Sequence, residues 1–161
     1  GKDSVRFMML NRSNDVELDF DFKKVTEKSK DNPVFYVQYA YARINSIFKS
    51  LNLKIEDQIL PKKDKVELNS YEINILKKIA EWPRCIETTS SKLEPHPIPF
   101  YLYELSTLFH SYWSVGNKNK EFRFIIEGKN VSNSRLLILQ SLAIVIKNGM
   151  LILGVSTPDS M

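Results

Sequence analysis

The sequence has few of the residues that most often carry covalent or metal chemistry. Of its 161 residues, one is cysteine (Cys85), two are histidine and five are glycine. A single cysteine excludes an internal disulfide framework and fits a reducing compartment. With no histidine beside it in the sequence, Cys85 reads as a small apolar filler. A phosphate-cradling glycine loop, a nucleophile–base pair and a cluster of metal ligands are all missing. No catalytic and no metal-binding residue is therefore nominated. No apolar run approaches the ~20 residues of a membrane span. The first residues also lack the layout of a signal peptide. A cytoplasmic protein without a membrane partner is the expectation, and no internal repeat is visible.

What is present describes one globular domain. At 43% hydrophobic and 26% charged the chain has enough apolar content for a core, and at this length it can bury ~70% of the surface its unfolded form exposes. The net charge of +4 is compatible with a polyanionic partner. Lys-rich solvated faces give the same balance, so charge alone selects no partner.

The most informative stretch is residues 32–48, NPVFYVQYAYARINSIF. On a helix at ~100° per residue, Val34, Val37, Tyr41, Ile44, Phe48 and Leu51 form an apolar stripe suited to a core. Tyr36, Tyr39 and Arg43 share a different face. Two flat rings and a planar cation are what a protein offers an unpaired base, rings to stack on and a guanidinium for phosphate or base edge. The competing reading packs that face on a second helical layer, and Ile47 beside it supports that reading.

The segment NPVFYVQYAYARI closely resembles N-P-[VA]-[FY]-Y-V-Q-Y-A-x-[AS]-R-[IL] of the arginyl-tRNA synthetases, where it opens the anticodon-binding domain. Residues 1–22, GKDSVRFMMLNRSNDVELDFDF, resemble the stretch leading from that family's catalytic core. LGVSTPDSM, residues 153–161, is similar to its ending L-G-[VI]-x-x-P-x-x-M. LFHSYW, residues 108–113, resembles a further family segment, F-H-x-[FYW]-[YN]. The stretch 116–131 departs from the family, which is usually shorter there.

The resemblance implies residues 1–30 as a connection from a catalytic domain and residues 31–161 as a helical anticodon-binding domain. It implies arginine tRNA and the chain's own catalytic domain as partners. ATP and Mg are then expected in that catalytic domain, with no cofactor in this part. HPIP at 96–99 is no His-x-Gly-His signature, and Lys-Met-Ser-Lys is absent, so the ATP chemistry belongs elsewhere. Tyr36, Tyr39, Arg43, His110, Trp113 and Met161 are the candidate RNA-binding residues, with Met161 placed beside the pocket by resemblance. Gln38 is the alternative helix-holding residue. Trp113 reads first as a core anchor and only second as a base contact, and the charge state of His110 stays open.

The remaining expectations are local. Asp3 should cap a short helix, and Leu18, Phe20 and Phe22 alternate as a strand would. Ile73, Leu76, Ile79 and Ala80 should line a helix that Pro83 ends. His96 reads as a corner residue between prolines. Residues 116–129 read as a solvated loop or short ribbon. Ser132 or Ser134 should cap the last long helix, and Asn148-Gly149 should close it. The whole is expected to be an all-α bundle of five or six helices with a short N-terminal appended segment, a monomer. The anticodon domain of a sister synthetase of cysteinyl type and a helical protein-interaction module remain alternatives.

Overall fold

The computed structural model describes residues 1–13, 32–60, 67–127, 129–130 and 132–161. The expected strand at 18–22 and the polar helix after it lie outside the described residues. Six α-helices are described: α1 (Lys2–Leu10), α2 (Pro33–Ser50), α3 (Ser70–Ala80), α4 (Trp82–Lys92), α5 (Pro97–Lys118) and α6 (Asn133–Ile152). A 3₁₀ turn (Lys120–Phe122) and a two-residue antiparallel ribbon, β1 (Ile125–Ile126) with β2 (Lys129–Asn130), join α5 to α6. The all-α expectation holds.

α2 starts where Asn32-Pro33 suggested, with proline in its first turn, where the missing N–H costs nothing. Its stripe faces α5 and α6, and Val34, Val37, Ile44 and Phe48 are buried. α5 answers with Leu102, Leu105, Phe109 and Tyr112, and α6 with Leu139, Leu142 and Ile146. α1 packs on α2 and contributes one fully buried side chain, Phe7, whose burial stabilises the contact by about 1.5–3 kcal/mol.

α6 is long and apolar enough, by length and composition, to cross a membrane. That corrects the expectation that no segment would pass such a test. Here it packs against α2, α3 and α5, and it carries Arg135, Gln140 and Lys147 within its length.

Four local readings need correction. Asp3 caps nothing, because the N-cap of α1 is Gly1, with no side-chain cap, and Asp3 already lies inside the helix. Its carboxylate instead accepts from Ser156 and Gln38.

The buried face of α3 is Glu72 and Ile75, while Ile73 and Ala80 are exposed. Glu72 can go inside because Arg135 Nε donates to it at 2.7 Å and Tyr112 OH at 2.7 Å. Asn69 and Glu72 also form a reciprocal capping box.

α6 does not close at Gly149. That glycine lies inside the helix, where a Cβ would stand 2.7 Å from a Leu102 methyl. The stop comes at Gly154, with φ of 65°. Val155 N–H reaches Met150 O at 2.9 Å and Gly154 N–H reaches Leu151 O at 3.0 Å, a Schellman closure.

The 116–129 stretch is not simply a solvated loop. α5 runs on to Lys118, and Phe124 returns to the core against Tyr112, ring centroids 4.6 Å apart.

Candidate nucleic-acid interface

The face of α2 away from its core stripe is half buried. Tyr39 and Arg43 stand one turn apart, so the guanidinium falls on the ring face at i,i+4. Its carbon lies 4.3 Å from the Tyr39 centroid and 4.6 Å from that of Trp113, and Nη2 donates to Tyr39 OH. Each such contact is worth about 0.5–1 kcal/mol at an exposed site. Together they hold a long, rotamer-rich side chain flat against two rings.

Trp113 comes from the C-terminal half of α5 and is half buried. Phe109 and Phe124 back it, with centroids 6.1 Å away in both cases. The two readings of this residue coexist, because the ring rests on the core and also lines the outer surface.

The third side is the tail after α6. Val155 is buried, and Gln38 Nε2 donates to Ser156 O at 2.9 Å. Asn45 Nδ2 then donates to Asp159 O at 2.9 Å. Ser160 and Met161 arrive beside α2, with Met161 51% exposed.

These pieces enclose an open cleft of about 440 Å³, within the ~300–1,000 Å³ range of small-molecule sites. Tyr39, Arg43, Trp113 and Met161 line it together. So do Ala42, Ser46 and Ser50, which sequence reasoning passed over. Their signal was a spacing of four, small residues stacked on one helix face, where short side chains leave room. Ile125 of the ribbon closes the far end. Lys118, Lys120 and Lys129 are exposed on the same connection. Aromatic walls around one cation suit a flat anionic ligand. Among the described residues no group of three His, Cys, Asp or Glu could hold a metal ion.

Tyr36 and His110 stand beside this cleft and are not among its lining residues. Tyr36 packs on His110 at 4.3 Å and on Tyr103 at 5.2 Å, and burial raises its phenol pKa. His110 is buried, 8% exposed, with Nε2 3.1 Å from Tyr36 O. A carbonyl only accepts, so Nε2 carries the proton. Burial holds the pKa of His110 below its ordinary 6.5, and the positive charge of Arg43 pushes the same way, against the hydrogen bond to Tyr36.

A depressed folded-state pKa means the unfolded chain binds the proton first. Stability linked to His110 is therefore full above about pH 6.5 and is lost as pH falls below it. We expect thermal melts to drop between pH 7.5 and 5.5, and His110→Gln to remove part of that drop. An equal drop in the variant would show that other groups cause it.

The chain is a helical bundle with an aromatic and cationic cleft at one helix face, and comparison with known proteins gives its family. The chain belongs to the DALR anticodon binding domain family, whose model matches residues 37–161. It is 59% identical over 161 residues to the arginine–tRNA ligase of Pelagibacter ubique, covering all of this chain and 28% of that protein. Among solved structures it is similar to a Campylobacter jejuni protein provisionally assigned as an arginyl-tRNA synthetase. There the TM-score is 0.83 at 27% identity, over all of this chain and 34% of the other. The arginyl-tRNA synthetase of Thermus thermophilus shares the fold, with a TM-score of 0.75 at 21% identity over 99% of this chain and 26% of that one. The chain thus spans about a quarter to a third of the length of the proteins it matches. Anticodon recognition is the general role of this family.

Proposed function

We infer that the chain reads the anticodon loop of arginine tRNA as the C-terminal module of a class I arginyl-tRNA synthetase. The observation that carries this is the cleft, where Arg43 lies over the faces of Tyr39 and Trp113. All arginine codons have G in the middle, so all arginine anticodons have C there. A site for this tRNA must accept one unpaired cytosine against fixed polar partners and tolerate change at the wobble base. Aromatic faces supply sequence-tolerant stacking, and a fixed guanidinium supplies direction toward base edge or phosphate.

On this reading the remainder of the full-length protein is a catalytic domain performing ATP-dependent arginylation in the cytoplasm. ATP and Mg would bind there. No step of that chemistry is assigned to this chain. The domain boundary near residue 31 and a monomeric state belong to the same proposal.

The test is titration of the chain with an arginine anticodon stem-loop, beside loops with the middle C changed to U or G. Several-fold tighter binding of the C loop is expected. Salt should lower affinity with a slope of ~0.7 per phosphate contact. Equal binding of all loops, tracking salt alone, would leave a basic surface without base readout. Negligible RNA binding would favour a protein-interaction module.

A further inference from the structure

The tail 156–161 forms one side of the cleft, yet it has no secondary structure of its own. A segment of this kind keeps one position only where something holds it. Among the described residues, hydrogen bonds hold this one at two places. At its start, Ser156 is clasped by the Asp3 carboxylate and by Gln38. Three residues on, the Asp159 carbonyl accepts from Asn45 Nδ2 at 2.9 Å. Asn45 is buried, 8% exposed, on the same helix as Tyr39 and Arg43. Core-facing positions seldom carry an amide, and a partner must satisfy its polar atoms. Here the partner is the segment that delivers Ser160 and Met161 to the cleft.

We propose that Asn45 is a positioning residue for base discrimination: by holding the Asp159 carbonyl it fixes Ser160 and Met161 as the third wall of the cleft. The proposal rests on the anticodon reading of that cleft. Tyr39, Arg43 and Trp113 form walls tied to helices, which accept any flat ring. The gap between them and the tail sets which base edge fits. Among the described residues, the hydrogen bonds that hold the tail without Asn45 are those at Ser156, five residues before Met161, and that gap loses its width.

Asn45→Asp keeps the shape and sets an acceptor against a carbonyl. Asn45→Ala removes the amide without adding charge, and a chain ending at Ser156 removes the wall while leaving Asn45 intact. Each is titrated with the arginine stem-loop and its middle-U counterpart. Amide exchange at 159–161 and thermal melting are followed in parallel for the full-length variants. Loss of one hydrogen bond should speed tail exchange about 2- to 10-fold. The preference for C over U should collapse toward one in all three chains. A variant that only weakened the fold would lower both affinities by the same factor. The proposal is overturned if tail exchange rises while the preference persists, or if exchange does not change. A wild-type chain without any preference would overturn the anticodon reading itself, and this inference with it, whatever the tail does.

Discussion

Glu72→Ala is expected to cost about 3–5 kcal/mol of folding stability, the usual consequence of removing one partner of a buried ion pair. Glu72 is 1% exposed. Its carboxylate accepts from Arg135 Nε at 2.7 Å, Tyr112 OH at 2.7 Å and Asn69 N at 2.9 Å. Removing it leaves the Arg135 charge without its carboxylate, and the buried Tyr112 hydroxyl and the half-buried Asn69 N–H without their acceptor.

The damage should spread, because Arg135 Nη1 also holds the carbonyls of Glu121 at 2.6 Å and Arg123 at 2.9 Å. Those bonds seat the connection that carries Phe124 into the core and Ile125 to the cleft. At about 2–4 °C per kcal/mol for a domain of this size, the melting temperature should fall by roughly 6–20 °C. Glu56→Ala is the control. Its pair with Lys147 is also short, at 3.0 Å, but stands in solvent, and such pairs are worth about 0–1 kcal/mol. If urea denaturation shows Glu72→Ala and Glu56→Ala to be equally mild, the interior position of this pair contributes little.

Tyr39→Ala should weaken binding of the arginine anticodon loop by about 1–3 kcal/mol, the range for loss of one stacking ring. The ring stacks with Phe35 at 5.9 Å and supports the Arg43 guanidinium. It is only half buried, so the fold should survive its loss. Tyr39→Phe separates the two contributions. It keeps the ring and removes the hydroxyl to which Arg43 donates. An intermediate loss in Phe, with the full loss in Ala, would assign the ring to stacking and the hydroxyl to aiming Arg43. Unchanged affinity in Tyr39→Ala, beside retained preference for C, would remove this face from the site.

How much was readable beforehand divides along the range of the forces involved. The α2 stripe, the proline start of that helix, the Ser132 cap of α6 and the core face of α5 follow from periodicity and from side chains acting on backbone a few residues away. Such effects are local, and a sequence displays them directly. The convergence of Tyr39, Arg43, Trp113 and Met161 was anticipated through family resemblance, since nothing in their spacing along the chain joins positions 39 and 161.

The misreadings were all of one kind. Asp3 has the look of a cap but holds Ser156, 153 residues away. Gly149 has the look of a helix stop but makes room for Leu102. α3 has an apparent stripe that omits its most buried polar residue, because Glu72 is acceptable inside only when Arg135 arrives 63 residues later to pair with it. The sequence by itself determined which segments are helical and which of their faces are apolar. Tertiary structure alone decided which polar side chains are buried, where the tail lies and how wide the cleft is. Burial of a charge or an amide depends on a distant partner replacing water, and no local pattern records that exchange.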